Sequence, residues 1–201
     1  MKAILFPTAI PSPSRDGLPE IAIDAARAAL PQGMELIIAP RNIGERELAS
    51  AVVDADALIG NVRGPLPPTV TAAMGKVKLL HLLSAGYDSV DIDAFRKLGI
   101  LVTTNGGANA RAAAEHTVML VLAVYGRLVW LSTQVKAGKW LPVPSGSLAL
   151  YELTGKTVGL VGLGNIGREV VKLLRGFETT VLYHSRSRLP CEDEKSMGVR
   201  Y

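Results

Sequence analysis

The chain has 201 residues, 48% of them hydrophobic and 20% charged, with a formal net charge of +4. That is enough chain for one large or two small domains with a buried core, in the composition range of ordinary globular proteins. Its Lys and Arg residues are scattered rather than striped, which argues against a nucleic-acid-binding face. The single cysteine, Cys191, rules out an intrachain disulfide and a Cys-based zinc site, and no metal site is expected.

Short apolar runs of strand length alternate with helical stretches from the N-terminus onward. Ala3–Phe6, Met34–Ala39, Ala57–Ile59, Leu79–Leu83 and Leu101–Thr103 are continuous apolar segments. Such runs suit strands buried on both faces of a parallel sheet. The intervening helices are expected near Leu18–Leu30, Glu45–Val53, Pro68–Met74 and Asp91–Leu98, with Asp91 as N-cap and Gly99 as the stop. Five strands with intervening helices predict a flavodoxin-like α/β domain over residues 1–104.

A long helix is expected from about Ala110 to Leu131. It is apolar on nearly every side and therefore expected to be buried at a domain junction or subunit interface. Its most apolar stretch, Thr117 to Leu131, contains Gly126 and Arg127 and falls short of a bilayer span of ~20 residues. The N-terminal apolar run is cut by Pro7 and reads as a strand rather than a signal peptide. No membrane association is expected, and the lone cysteine suits a reducing cytoplasm. The segment 139–146, with two prolines and a glycine, reads as a connecting loop.

A second α/β unit opens at Thr154. A strand leads into Gly162-Leu163-Gly164-Asn165-Ile166-Gly167, a helix runs to about Arg175, Thr179–His184 forms another strand, and Val199–Tyr201 begins a third. The glycines fit G-x-G-x-x-G. The first allows a tight turn, the second lets backbone approach a pyrophosphate, and the third lets helix and strand pack closely. A plain tight turn would show the same glycines, but the strand before and the helix after favour a dinucleotide site at Gly162, Gly164, Asn165, Ile166 and Gly167. A complete unit of this type needs about six strands, so residues 105–201 are expected to form an incomplete Rossmann domain.

The end of the strand after the glycines bears on which dinucleotide binds. An acidic residue there would accept from the ribose 2′-OH of NAD. This chain has His184-Ser185-Arg186-Ser187-Arg188 instead. Ser185, Arg186 and Arg188 could bind a 2′-phosphate, which favours NADP over NAD, although an exposed basic loop would look the same.

Three stretches together resemble the D-isomer-specific 2-hydroxyacid dehydrogenase family, of the glyoxylate/hydroxypyruvate reductase or phosphoglycerate dehydrogenase kind. They are Leu80–Asp91, Asn105–Thr117 and the Gly162–Gly167 fingerprint. The resemblance implies hydride transfer between NAD(P) and a small 2-keto or 2-hydroxy acid. It implies that Ser84, Ala85 and Gly86 offer backbone N–H groups to the substrate carboxylate. Arg63 lies near the same cleft in related enzymes and could attract an acidic substrate, or serve only as a surface charge. The resemblance also implies that Thr117 faces the cofactor and that the long helix makes a homodimer contact.

In the family an arginine, a glutamate and a histidine from later strands orient the keto acid and deliver the proton. His81, His116 and His184 do not match that position, so no catalytic residue is assigned. The chain is expected to be a truncated, weakly active or inactive form. A non-catalytic dimerising or nucleotide-sensing relative is the alternative, and a relative acting on formate or phosphoglycerate is a third reading.

Overall fold

The computed structural model describes residues 1–6, 20–40, 43–62, 64–140 and 150–201. Arg63 and most of the proline-rich loop lie outside these residues. The chain divides into two compact units, 1–106 and 107–201.

The first unit is built on five strands, β1 (Lys2–Phe6), β2 (Glu35–Ile38), β3 (Ala57–Gly60), β4 (Leu79–Leu82) and β5 (Leu101–Thr104). They form one sheet in the order β2-β1-β3-β4-β5, with every pairing parallel. This is the flavodoxin-like order, whose switch point lies between β1 and β3. Register is fixed by the pairings Ile4↔Ile37, Ile4↔Leu58, Leu58↔Leu80 and Leu80↔Val102. A one-residue slip would turn these apolar side chains to the other face. Ile4, Leu80 and Leu82 are wholly buried.

The helices are α1 (Glu20–Ala29), α2 (Glu45–Val52), α3 (Pro68–Ala73) and α4 (Ile92–Lys97). Val52, Val70 and Phe95 carry α2, α3 and α4 into the same core as the strands. Two helix starts follow from local chemistry. Pro68 opens α3 where its missing N–H costs nothing. Asp91 caps α4 by accepting from the Ala94 N–H at 3.0 Å, a bond worth about 1 kcal/mol.

The second unit contains α5 (Ala110–Tyr125), α6 (Leu128–Lys136), β6 (Thr157–Val161), α7 (Asn165–Leu174), β7 (Thr180–His184), α8 (Cys191–Met197) and β8 (Val199–Arg200). Its sheet runs β6-β7-β8, all parallel, which is the arrangement of one half of a doubly wound fold. Among the described residues this sheet has three strands, with β6 and β8 at its edges. Val161 on β6 is 95% exposed. The core joins Ala114 and Val118 of α5 to Val170, Val171 and Leu174 of α7 and to Val181 and Tyr183 of β7.

One expectation needs correction here. The single long helix is two helices, with a bend of 62° between α5 and α6. Gly126 weakens the ladder, and Arg127 adopts a left-handed conformation (φ 46°) that ends it. Within the unit this segment buries one face of α5 only. Ala110, Ala114 and Val118 face inward, whereas Met119, Leu120, Val124, Leu128 and Val129 are exposed. Among the described residues no single helix is long and apolar enough to cross a membrane.

Candidate functional site

The glycine segment adopts the geometry its spacing requires. Gly162 follows the last residue of β6 with φ +99°, a conformation open to glycine and strained for other residues. Its N–H donates to the His184 carbonyl at 2.7 Å, which ties the turn to the end of β7. Leu163 turns inward and joins the core. At Gly167 a Cβ would stand 2.6 Å from the Gly162 carbonyl oxygen, so the α7 backbone can approach the turn only without a side chain there. Gly164 is the opposite case, because a Cβ at that position would meet nothing within 4 Å. Gly164 precedes the first turn of α7, whose leading N–H groups have no partner within the helix and carry the positive end of its dipole.

An open cavity of about 480 Å³ lies over this turn. It is lined by Val161, Gly162, Leu163 and Gly164 on one side and by His184, Ser185, Arg186 and Ser187 on the other. The glycine turn that leads into α7 and the corner that carries Arg186 thus line one cavity, an arrangement suited to an anionic ligand. The residues present fit a dinucleotide: the space above Gly164 is free, and Arg186 with Ser185 and Ser187 lines the other side.

Not every expected residue reaches this cavity. Asn165 turns the other way, packing against Gly107 and lining a separate cleft with Arg168, Glu169 and Lys172. It and Ile166 therefore have only backbone groups to offer the turn. Thr117 is exposed on α5 and donates to the Ala113 carbonyl at 2.8 Å, outside the lining of the cavity.

Arg188 departs furthest from expectation. Its guanidinium makes two hydrogen bonds to Glu194 of α8, Nε to Oε1 at 2.8 Å and a terminal nitrogen to Oε2 at 2.9 Å. It also lies 5.4 Å from the centre of the Tyr201 ring. The sequence named Arg188 for its charge, but α8, whose acidic residues supply the partner, was not foreseen. Glu194 is 8% exposed, and the Tyr183 hydroxyl donates to it at 2.9 Å. That hydroxyl in turn accepts from the Leu189 N–H at 2.8 Å.

The Arg188 hydrogen bonds hold the Glu194 carboxyl below its ordinary range against the opposing effect of burial, while the Glu194 contact raises Arg188. Burial pushes the Tyr183 phenol up. Between the folded and unfolded pKa of Glu194 the unfolded chain binds more protons. The pair therefore stabilises the fold fully above the ordinary carboxylate value, and this is lost as pH falls through the lowered one. Thermal unfolding of the wild type should show an acid limb beginning below about pH 4.5 that is shallower in Glu194→Gln. Identical limbs in the two proteins would contradict this.

In the first unit, Ser84, Ala85 and Gly86 follow β4 at the carboxyl edge of the sheet, where open α/β folds receive ligands. The Ser84 hydroxyl donates to the Gly86 carbonyl at 2.8 Å, and the Asn105 N–H donates to the Ser84 carbonyl at 3.1 Å. Asn61 lies at the same edge, after β3. Its Oδ1 is buried and has no hydrogen-bond partner among the described residues. A buried acceptor left unpaired costs stability unless something supplies a donor.

The histidines stand apart. His81 Nδ1 contacts the Thr103 hydroxyl at 2.9 Å, His116 is exposed on α5, and His184 packs near Tyr201. Glu115 is engaged by Arg111 at 2.8 Å. No group of three or more His, Cys, Asp or Glu side chains suited to a metal occurs among the described residues.

Comparison with known proteins places this geometry in a family. Residues 16–188 match the model for the D-isomer specific 2-hydroxyacid dehydrogenase, catalytic domain. A glyoxylate reductase of Thermococcus litoralis is 35% identical over 158 residues, covering 77% of this chain and 47% of that protein. A formate dehydrogenase of Chaetomium thermophilum is 39% identical over 128 residues, covering 62% of this chain and 34% of that protein. Among solved structures, a glyoxylate reductase from Paecilomyes thermophila superimposes with a TM-score of 0.72 at 25% identity, covering all of this chain and 59% of that one. The TT0316 protein of Thermus thermophilus gives a TM-score of 0.66 at 31% identity, covering 94% of this chain and 58% of that one. The chain spans about half the length of the curated relatives it matches. It belongs to the D-isomer-specific 2-hydroxyacid dehydrogenase family.

Proposed function

We propose that these residues serve an NADP-dependent reductase of small 2-keto acids, with glyoxylate or hydroxypyruvate as substrate. The observation that carries the reading is the single cavity shared by the glycine turn and the Ser185–Arg186 corner. Gly162, Gly164 and the backbone N–H groups of Asn165, Ile166 and Gly167 would hold the pyrophosphate. Ser185 and Arg186 would hold the 2′-phosphate. NADPH supplies the hydride equivalent when bound. Backbone N–H groups at Ser84, Ala85 and Gly86 would receive the substrate carboxylate, with Arg63 attracting the acid. The glyoxylate reductases among the relatives support this substrate class.

No proton donor is assigned within the chain. His81 contacts Thr103, and among the described residues neither His116 nor His184 has a carboxylate partner of the kind the family's histidine has. The 201-residue chain is expected to bind nucleotide but to show little turnover in a steady-state assay with NADPH and glyoxylate. Turnover at an ordinary reductase rate would overturn that assignment.

The many exposed apolar side chains of α5 and α6 support a homodimer through these helices, because apolar surface of this kind is favoured at interfaces. Sedimentation should give a concentration-dependent dimer that Val129→Glu weakens. A monomer at high concentration would refute it.

A further inference from the structure

We propose that Glu194 is a positioning residue for nucleotide selectivity: it clamps the loop after β7 so that Ser185 and Arg186 face the cavity. This rests on the cofactor reading above and extends it to a residue that does not touch the ligand.

The loop leaves β7 after His184 and enters α8 at Cys191. Both of its ends are tied to one carboxylate. At the strand end, the Tyr183 hydroxyl donates to Glu194 Oε1 at 2.9 Å. At the helix end, Arg188 binds both Glu194 oxygens, and the Leu189 N–H donates to the Tyr183 hydroxyl at 2.8 Å. Of the residues between these anchors, Ser185 to Ser187, only Ser185 has a further tie among the described residues, at its carbonyl, and all three line the cavity. The placement of Arg186 and Ser187 therefore follows from the anchors.

The clamp also decides which charge the ligand meets. Arg188 and Glu194 neutralise each other, and the two-pronged contact uses the guanidinium face that would otherwise fit a phosphate. Among the described residues no carboxylate pairs with Arg186, and it is the one arginine in the cavity lining. Tyr201 closes the arrangement from outside. Its ring packs edge-on to Tyr183 at 5.2 Å between centroids, and its hydroxyl donates to the Ser185 carbonyl at 3.3 Å. Glu194 is nearly as buried as the apolar core around it, although a glutamate is rarely buried unless paired.

The test uses the 201-residue protein and two probes, 2′,5′-ADP and 5′-ADP, which differ only in the 2′-phosphate. Affinities are measured by calorimetry for the wild type, Glu194→Gln, Tyr183→Phe and Arg188→Lys. Glu194→Gln is expected to lose affinity for 2′,5′-ADP by on the order of tenfold, comparable to one charge-assisted hydrogen bond, with 5′-ADP unchanged. Tyr183→Phe, which keeps the ring and removes one tie, should lose less. Arg188→Lys should behave like Glu194→Gln, because it keeps the charge and loses the fork.

Hydrogen exchange supplies a readout independent of nucleotide. The Leu189 amide should lose protection in Glu194→Gln and Tyr183→Phe. A Glu194→Gln protein with reduced thermal stability but unchanged preference for 2′,5′-ADP would make the residue purely structural and overturn the proposal. Tighter 2′,5′-ADP binding in that variant would show Arg188 to be a ligand held in reserve, and would also overturn it. A wild type that does not prefer 2′,5′-ADP would instead sink the cofactor reading, and the proposed role with it.

Discussion

Arg186→Ala is expected to weaken NADP⁺ binding by on the order of 10- to 100-fold, the worth of one or two charge-assisted hydrogen bonds. NAD⁺ binding should stay within about twofold, since that ligand lacks the 2′-phosphate. The expectation follows from where the charges lie. Of the two arginines after β7, Arg188 is held by Glu194, and Arg186 lines the cavity beside Ser185. Arg188→Ala should therefore lower thermal stability more than Arg186→Ala does, by leaving a buried carboxylate without its cation. Calorimetric titration of both variants with NADP⁺ and NAD⁺ checks the assignment. If Arg188→Ala alone abolished the preference while its loop kept native hydrogen-exchange protection, the roles would be reversed.

Two glycines of the same motif are expected to fail in different ways. Gly167→Ala places a methyl group 2.6 Å from the Gly162 carbonyl oxygen, a backbone atom that cannot rotate aside. Overpacking of this kind costs about 1–3 kcal/mol. In a unit of this size that lowers Tm by roughly 4–8 °C per kcal/mol. Because the turn itself must move, nucleotide affinity should fall along with stability. At Gly164 a methyl group meets no protein atom, so Gly164→Ala should leave Tm nearly unchanged. The methyl would instead occupy the space proposed for the pyrophosphate, and nucleotide affinity should fall without a stability change. Paired melting curves and nucleotide titrations separate the two signatures. Equal Tm losses would show that Gly164, too, serves only packing.

Much of the fold could be read from the order of apolar runs, because parallel strands buried on both faces leave unmistakable continuous segments. Ile4, Leu58, Leu80 and Val102 come from four such runs and lie on adjacent strands in mutual register. The glycine motif was legible for a similar reason: each glycine answers a local steric demand that is encoded in the sequence. The misreadings have physical causes too. Residues 118–131 are apolar except at Gly126-Arg127, and so short a break was outweighed by the apolar residues on both sides. Apolar composition also cannot distinguish Val118, facing the core, from Val124, facing out.

Helix α8 escaped notice because Cys191–Met197 has no apolar period, and its buried side chain is the charged Glu194. With α8 unseen, the partner of Arg188 was invisible, and the arginine was judged by charge alone. The burial of the Asn61 oxygen gave no sequence signal, since it arises only in the folded chain.

The most direct test is titration of the purified chain with NADPH and NADH, following nicotinamide fluorescence. The account predicts saturable binding of both, with NADPH at least about tenfold tighter, as one added charge-assisted contact requires. Absence of binding by either nucleotide, or tighter binding of NADH, would contradict it.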